Sequence, residues 1–478
     1  MFERPKIIKS NAIFAPVSQK VYAIMNRDAI DFERDGVFSL FRKLLIPTLL
    51  GSVAMSAMST IDGIFVGHGV GAAGVAAVNI AVPVYQVMTG IGFMIGAGSS
   101  VVASIHLSRK NLKVARINVT QSLVFASLLV FLFVAAVMLF PVQSARILGS
   151  SESLMPMVLD YLKWVMPSFL FEIWVLIGLF VIRLDGSPRY AMWCNIVPAI
   201  VNVVLDWLLI IRLRMGVEGA AIASAAGIVV GGLMAAVYLL FFARTLRLIP
   251  LKISPMSMRL ALRNIAYQCR IGSSSLLGEL TLAVFIYVGN WQFMRYLGDD
   301  GVGAFGIACY YAPLFFMIGN AIAQSAQPII SYNYGIGRTT QVVQARNLLL
   351  RSAAAFGIFV SLLFIFFPAP LVGLFVDVQE NAGLIATHGF PLFGCGVVFF
   401  IVNVALTGYY QSIERVRKST LFVLLRGFLL LIPCFFILPL FFGTDGMWLA
   451  MPVTEVLTLL CIYSSWRLGR RKACRRNK

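Results

Sequence analysis

The chain has 478 residues, 59% of them hydrophobic and only 12% charged, with a mean hydropathy of +0.87. A soluble globular chain carries about a quarter charged residues, so a soluble enzyme or binding module is excluded and a polytopic membrane protein is implied. The formal charge of +19 raises nucleic-acid binding, but no basic cluster belongs to a folded soluble segment, and no nucleic-acid partner is expected.

In chain order, residues 1–39 read as a polar N-terminal segment. Arg4, Lys6 and Lys9 are not followed by the apolar core and cleavage site of a signal peptide. The stretch "DFERDGVFSLFRKLLIP" reads as an amphipathic lead-in to the first span. Apolar runs long enough to cross about 30 Å of hydrocarbon at 1.5 Å per residue then recur. The first six are 40–66, 75–105, 117–140, 157–182, 189–211 and 217–243, and together make an N-lobe, 40–243. A linker, 244–266, contains "RTLRLIPLKISPMSMRLALRN" with breaks at Pro250 and Pro255. Six more spans, 267–295, 303–332, 347–368, 385–411, 419–441 and 446–466, make a C-lobe, 267–466, and a basic tail, 467–478, ends the chain. The expected fold is therefore an all-α membrane protein of twelve transmembrane helices in two six-helix lobes.

Lys and Arg alternate along this map. Of the 39, 33 lie at the two termini and in the even-numbered connections, with Arg183 and Arg189 assigned to the fourth. The positive-inside rule puts both termini in the cytoplasm, and the basic residues meet anionic lipid. An even number of spans starts each lobe on the same side, so an internal repeat must be parallel. One is visible: "GVGAAGVAA" (69–77) recurs as "GVGAFGIAC" (301–309), and "GFMIGAGSSVVASIHLSRKN" (92–111) is echoed by "GNAIAQSAQPIISYNYGIGR" (319–338). Two lobes facing across a cleft suit alternating access, which makes a transporter the leading class.

An ionisable side chain at mid-span costs about 2.5–3.5 kcal/mol on insertion scales and is a functional candidate by default. Asp206 follows Asn202 and Pro198 at i−4 and i−8, so all three share one helical face, and Pro198 leaves the Cys194 carbonyl without its helical donor. The competing reading is a solvated Asp in the interfacial belt beside Trp207. Asp62 ends a polar stripe of Ser52, Ser56 and Ser59 on a helix interrupted at Pro47, or else caps a loop before Gly63. In the second half Glu279 and Glu455 are candidates for a substrate or cation site, the alternatives being interhelical hydrogen bonding as protonated acids or, for Glu455, pairing with Arg426. Glu172 has no evident partner. The three histidines lie near span ends, and seven scattered cysteines suit a reducing compartment or lipid. No HExxH, P-loop, GxSxG or CxxC appears, so no enzyme activity, resident metal or cofactor is expected.

Four stretches, "STIDGIFVGHGVG" (59–71), "IRLDGSPRYAM" (182–192), "VNVVLDWLLI" with "GVEGAAIAS" (201–224) and "QPIISYNYGIGR" (327–338), together carry a resemblance. Over about 40–465 the chain resembles the multidrug and toxic compound extrusion (MATE) family, bacterial type. The resemblance implies two six-helix lobes around a central cavity, export of organic, often cationic, compounds in exchange for H+ or Na+, and a monomer in the bacterial inner membrane. It carries coupling-ion binding over to Asp62, Asn202 and Asp206, adds Ser224 where many members have Thr, and makes Pro47 the place where the first helix bends. Some sodium-coupled members carry acids in helices seven and ten; here Glu279 falls about one turn from the first, and the tenth span offers Asn403 and no acid. That departure favours coupling through the N-lobe acids. The alternative function is a flippase for a lipid-linked saccharide or other amphiphile, which would need basic residues in the cavity; Arg426 is the one candidate in the sequence.

Overall fold

The computed structural model describes residues 30–150, 152–252 and 254–476. Most of the N-terminal segment and the last two residues of the basic tail lie outside these. The first six membrane helices are α1 (Val37–Gly69), α2 (Ala72–Ser108), α3 (Leu112–Leu139), α4 (Met155–Leu184), α5 (Pro188–Asp206, continued by a π turn, Trp207–Arg212) and α6 (Gly216–Val237, ending in a π turn, Tyr238–Phe242). The helix Pro255–Gly335 is broken at Gly298, whose φ of 65° reverses the chain. It comprises α7 (255–297) and α8 (299–335). After α9 (Thr339–Phe366) and α10 (Asn381–Ser412), a second reversal at Gly443, φ 57°, separates α11 (416–442) from α12 (444–476). Twelve membrane-length helices result among the described residues, and the protein is a multi-pass membrane protein.

The linker is shorter than the sequence reading of 244–266 suggests. Pro255 occupies the first helical turn and Ser254 caps it, its hydroxyl accepting from the Ser257 N–H at 3.2 Å. The proline taken as a break is thus a helix start. Upstream, Asp185 straps the linker to α4: its carboxylate accepts from the N–H groups of Arg244, Thr245 and Leu246 at 3.0, 2.8 and 2.7 Å and from the Tyr238 hydroxyl at 2.9 Å.

Each lobe has its own core. In the second it is a cluster of rings, with Phe293 and Phe305 stacked at 4.6 Å and Trp448 edge-on to Phe293 at 4.9 Å. Leu40, Phe41 and Leu44 at the start of α1 belong to that second core, so α1 ties the lobes together. The hydrogen bonds that join the lobes gather where α2 ends, α7 begins and α8 ends, the end of the bundle that carries the basic residues. Gln268 of α7 donates to Asn118 at 2.9 Å, Asn264 to Gln121 at 2.7 Å, Gln327 of α8 to Ser100 at 3.1 Å, and Arg109 to the Gly335 carbonyl at 3.2 Å. Backbones touch at Gly98 against Gln268 and Gly272 against Met94, where any Cβ would overlap a carbonyl. At this basic end the lobes are closed on one another.

Candidate functional site

The face of α5 that the spacing predicts is the buried one: Cys194, Asn195, Pro198, Asn202 and Asp206 all face the lobe interior. Small residues on α6 permit this. Gly231 lies so near that a Cβ there would stand 2.9 Å from the Pro198 ring and 3.3 Å from the freed Cys194 carbonyl. Asp206 and Asn202 are both 0% exposed, so the interfacial reading of Asp206 fails, and Trp207, 46% exposed, points the other way. The helix widens to a π turn directly after Asp206, a distortion common at functional positions.

Asp62 lies inside α1, not at a cap. Its carboxyl abuts that of Asp206 and reaches Ser224, with Tyr161 of α4 beside both acids. The Asn202 amide donates to the Ser224 hydroxyl at 3.4 Å. No donor among the described residues meets the buried Asp62 Oδ1, either Asp206 carboxylate oxygen or Asn202 Oδ1. Buried acceptors are nearly always paired, and two facing carboxylates repel unless a cation lies between them. The all-oxygen set fits a shared proton or a small hard cation such as Na+. Earlier on α1, the Thr60 hydroxyl donates to the Ser56 carbonyl, while the Ser59 side chain lies outside the described residues. Pro47 is buried inside α1 and leaves the Lys43 carbonyl without its helical donor.

The second-lobe candidates separate into two places. Glu455 is 2% exposed, and its Oε1 accepts from Arg426 Nε and Nη2 at 3.1 and 2.7 Å. Asn403 donates to Glu455 Oε2 at 2.7 Å and to its carbonyl at 2.8 Å. Arg426 sits in the π turn Leu425–Leu429 with its guanidinium 4.2 Å from the Phe400 ring centre. Glu455 is thus a neutralised partner of Arg426 and Asn403, and Glu279 makes no hydrogen bond to either Asn403 or Glu455. Glu279, buried on α7, has no hydrogen-bond partner among the described residues and faces α2, where a Cβ on Gly90 would stand 3.6 Å from its own. Glu172 gains a partner the sequence could not name, the Tyr85 hydroxyl at 3.3 Å, and Tyr85 lies within electrostatic reach of both Glu172 and Glu279.

Two residues escaped the sequence reading. Arg183, counted there as a loop charge, is in the last turn of α4 and 3% exposed; its Nη1 donates to Gln324 of α8 at 2.6 Å. Asp185 in the same motif is the linker strap. Its signal was the Asp-Gly pair, which reads equally as a plain turn. Two histidines do lie at exposed helix ends, His68 on the Ile64 carbonyl and His388 on Asp445, both at 2.9 Å.

The MatE family profile matches the chain twice, over residues 47–208 and 276–437. A FAD transporter of Shewanella oneidensis is 24% identical over 432 residues, covering 88% of this chain and 93% of that protein. The multidrug export protein MepA of Staphylococcus aureus is 23% identical over 435 residues, 90% of this chain and 93% of its own. Among solved structures, an outward-facing multidrug resistance MATE transporter superposes with a TM-score of 0.85 at 20% identity, covering 93% of this chain and 99% of that one. A Pyrococcus furiosus transporter of the MOP superfamily, described as having a binding pocket of reverse polarity, gives 0.83 at 20% identity over 93% and 98%. The structural likenesses establish the fold, and the two profile matches carry the duplication and the identity: the chain belongs to the MatE family, the multidrug and toxic compound extrusion transporters, and is a transporter, not an enzyme.

Proposed function

We propose that the protein is a secondary antiporter that exports organic, cationic or amphiphilic compounds in exchange for protons or sodium ions. It works as a monomer in the bacterial cytoplasmic membrane, with both termini inside. The observation that carries this reading is the set of four buried acceptor oxygens on Asp62, Asn202 and Asp206 that no donor among the described residues meets. Such a set attracts a cation and repels itself when the cation leaves. With the basic end in the cytoplasm, the lobes are closed inward, and the pocket lies in the outer half of the N-lobe where an external ion arrives.

α1 supplies the link to the cleft. It holds Asp62 near one end, packs Leu40, Phe41 and Leu44 into the C-lobe core at the other, and is interrupted between them at Pro47. Cation entry neutralises the pocket and lets α1 settle against α5; cation loss reverses this and moves the two lobes relative to each other. Glu279, buried between α7 and α2 with no hydrogen-bond partner among the described residues, suits a cationic part of the cargo. Each charge that crosses the field contributes about 2.3 kcal/mol per 100 mV, enough to bias such a cycle.

The test is efflux of ethidium from proteoliposomes under an imposed proton or sodium gradient, wild type beside Asp206→Asn at equal, verified insertion. Efflux driven by one gradient and absent in the variant supports the reading and identifies the ion. Equal efflux by the variant would overturn the role given to Asp206.

A further inference from the structure

Of the two guanidinium groups buried in the bundle among the described residues, one is neutralised and the other is not. Arg426 has Glu455 on both its Nε and Nη2. Arg183, equally buried at 3% exposure, pairs with no carboxylate among the described residues: its one hydrogen bond goes to the neutral Gln324 amide oxygen, and its Nε has no acceptor. A guanidinium cannot shed its charge, and a buried charge without a counter-charge is among the most costly arrangements a fold tolerates. Snorkelling to a lipid surface does not explain it, because Arg183 lies between the lobes, its guanidinium 6.0 Å from the Phe180 ring.

Gln324, which accepts from Arg183, and Phe180, against whose ring its guanidinium lies, line a cavity of about 40 Å³ between the lobes, together with Asn320, Gln327, Gln411, Ser274 and the paired Arg426; Arg183 itself stands behind this lining. By volume it holds about three waters or one carboxylate. Its polar lining is rich in amide N–H donors and hydroxyls and contains no acid. Eleven residues earlier on α4, about 16 Å up the helix at 1.5 Å per residue and on the same face, stands Glu172, and Tyr85 lies within electrostatic reach of both it and Glu279. Two buried acids thus lie deeper in the bundle, and the guanidinium without a counter-charge lies near its basic end.

We propose that Arg183, with Gln324, is an anion subsite that receives a carboxylate or phosphate group of the exported compound, so that the cargo includes organic anions and zwitterions and not only cations. This rests on the export reading above and narrows its substrate class. A group bound there would touch α4 of one lobe and α8 of the other, so it would also sense whether the floor is closed. The competing role for Arg183 is a bolt that holds the lobes together with no ligand, and the two roles respond oppositely to a carboxylate placed at position 324.

The experiment is fluorescence-detected binding to the purified full-length protein in detergent. The probes are flavin mononucleotide for phosphate, 5-carboxyfluorescein for carboxylate and ethidium for a cation without either. At least one of the two anions should bind the wild type, and which one binds distinguishes phosphate from carboxylate. Arg183→Gln should weaken that binding by about tenfold or more, as expected for loss of a charge-assisted hydrogen bond. Arg183→Lys, which keeps the charge, should lose much less. Gln324→Glu, which leaves Arg183 in place and gives it an internal counter-ion, should weaken the anion as much as Arg183→Gln does. Ethidium affinity should stay unchanged in all three. The proposal is overturned if neither anion binds the wild type, if Arg183→Gln leaves anion affinity within twofold, if ethidium falls in parallel, or if Gln324→Glu preserves anion binding as a bolt would. Should Arg183→Gln fail to fold, the Lys and Glu variants decide alone. Gradient-driven ethidium efflux by the same wild-type preparation reports on the export reading separately, and its absence would leave the binding result standing.

Discussion

The two halves descend from one duplicated unit, yet they place their charges in different positions and use them differently. The N-lobe brings Asp62, Asn202 and Asp206 together, whereas the core of the C-lobe is built of rings. Phe435 is part of the aromatic core of the C-lobe, 6.0 Å from Phe285, and Trp291 packs on Phe436 at 5.3 Å. The buried acid Glu455 of the C-lobe is instead paired with Arg426. One lobe has filled its core with rings and satisfied one of its two buried acids, Glu455, with a guanidinium, while the other has set two carboxylates together with buried acceptors that no described side chain satisfies. The same scaffold supports a fixed ion pair on one side and a cation-demanding pocket on the other. Burial of an acid, common to both, does not tell them apart; the presence or absence of a donor does.

The contrast breaks most clearly under charge removal. Asp206→Asn should reduce gradient-driven efflux to the leak of protein-free vesicles. The double variant Arg426→Met/Glu455→Gln should retain gradient-driven efflux, because replacing both members of a buried pair is often close to neutral, within about 1–2 kcal/mol. Equal loss in both would mean that the two acids share one role. Stability gives the converse result. Arg426→Met alone strands the Glu455 carboxylate and should cost about 3–5 kcal/mol, read as a large fall in the thermal midpoint in detergent, with most of it recovered in the double variant. Asp206→Asn should leave that midpoint unchanged or raise it, since it relieves the repulsion with Asp62.

Smaller effects sharpen the picture of how the lobes close. Gly272→Ala forces a methyl against the Met94 carbonyl and should disfavour the closed basic end by about 1–3 kcal/mol. The readout is increased labelling by a thiol reagent of a cysteine substituted for Ser100. The smallest predicted effect is that of Ser224→Ala. It removes the one acceptor that orients the Asn202 amide and should weaken coupling-ion affinity by about two- to tenfold, the equivalent of about 0.5–1.5 kcal/mol. The measurement is the ion concentration that half-saturates efflux.

Much of this was legible in the sequence for identifiable reasons. Spacing of four residues put Pro198, Asn202 and Asp206 on one face, and helix geometry preserved that relation in three dimensions. The pairing of Glu455 with Arg426 is one of three readings open to the sequence, which shows that two opposite charges fall in adjacent spans but not that their helices face each other. Arg183 was misread for a related reason. The positive-inside rule assigns an arginine at a span end to the aqueous loop, and only the close approach of α8 buries it. Pro255 was taken as a break when Ser254 beside it carried the signal of a capped helix start. Glu172 lacked a partner because Tyr85 lies on another helix, 87 residues away.

The central claim is that the Asp62/Asp206 pocket holds the coupling cation and gives it up when cargo binds. Its most direct test is the release of H+, followed with a pH dye in weakly buffered detergent solution, and of ²²Na+ from preloaded protein, when ethidium is added. The wild type should release one of the two ions as the ligand binds, and Asp206→Asn should bind ethidium while releasing neither. Undiminished ion release by Asp206→Asn would contradict the account and place the coupling site elsewhere in the bundle.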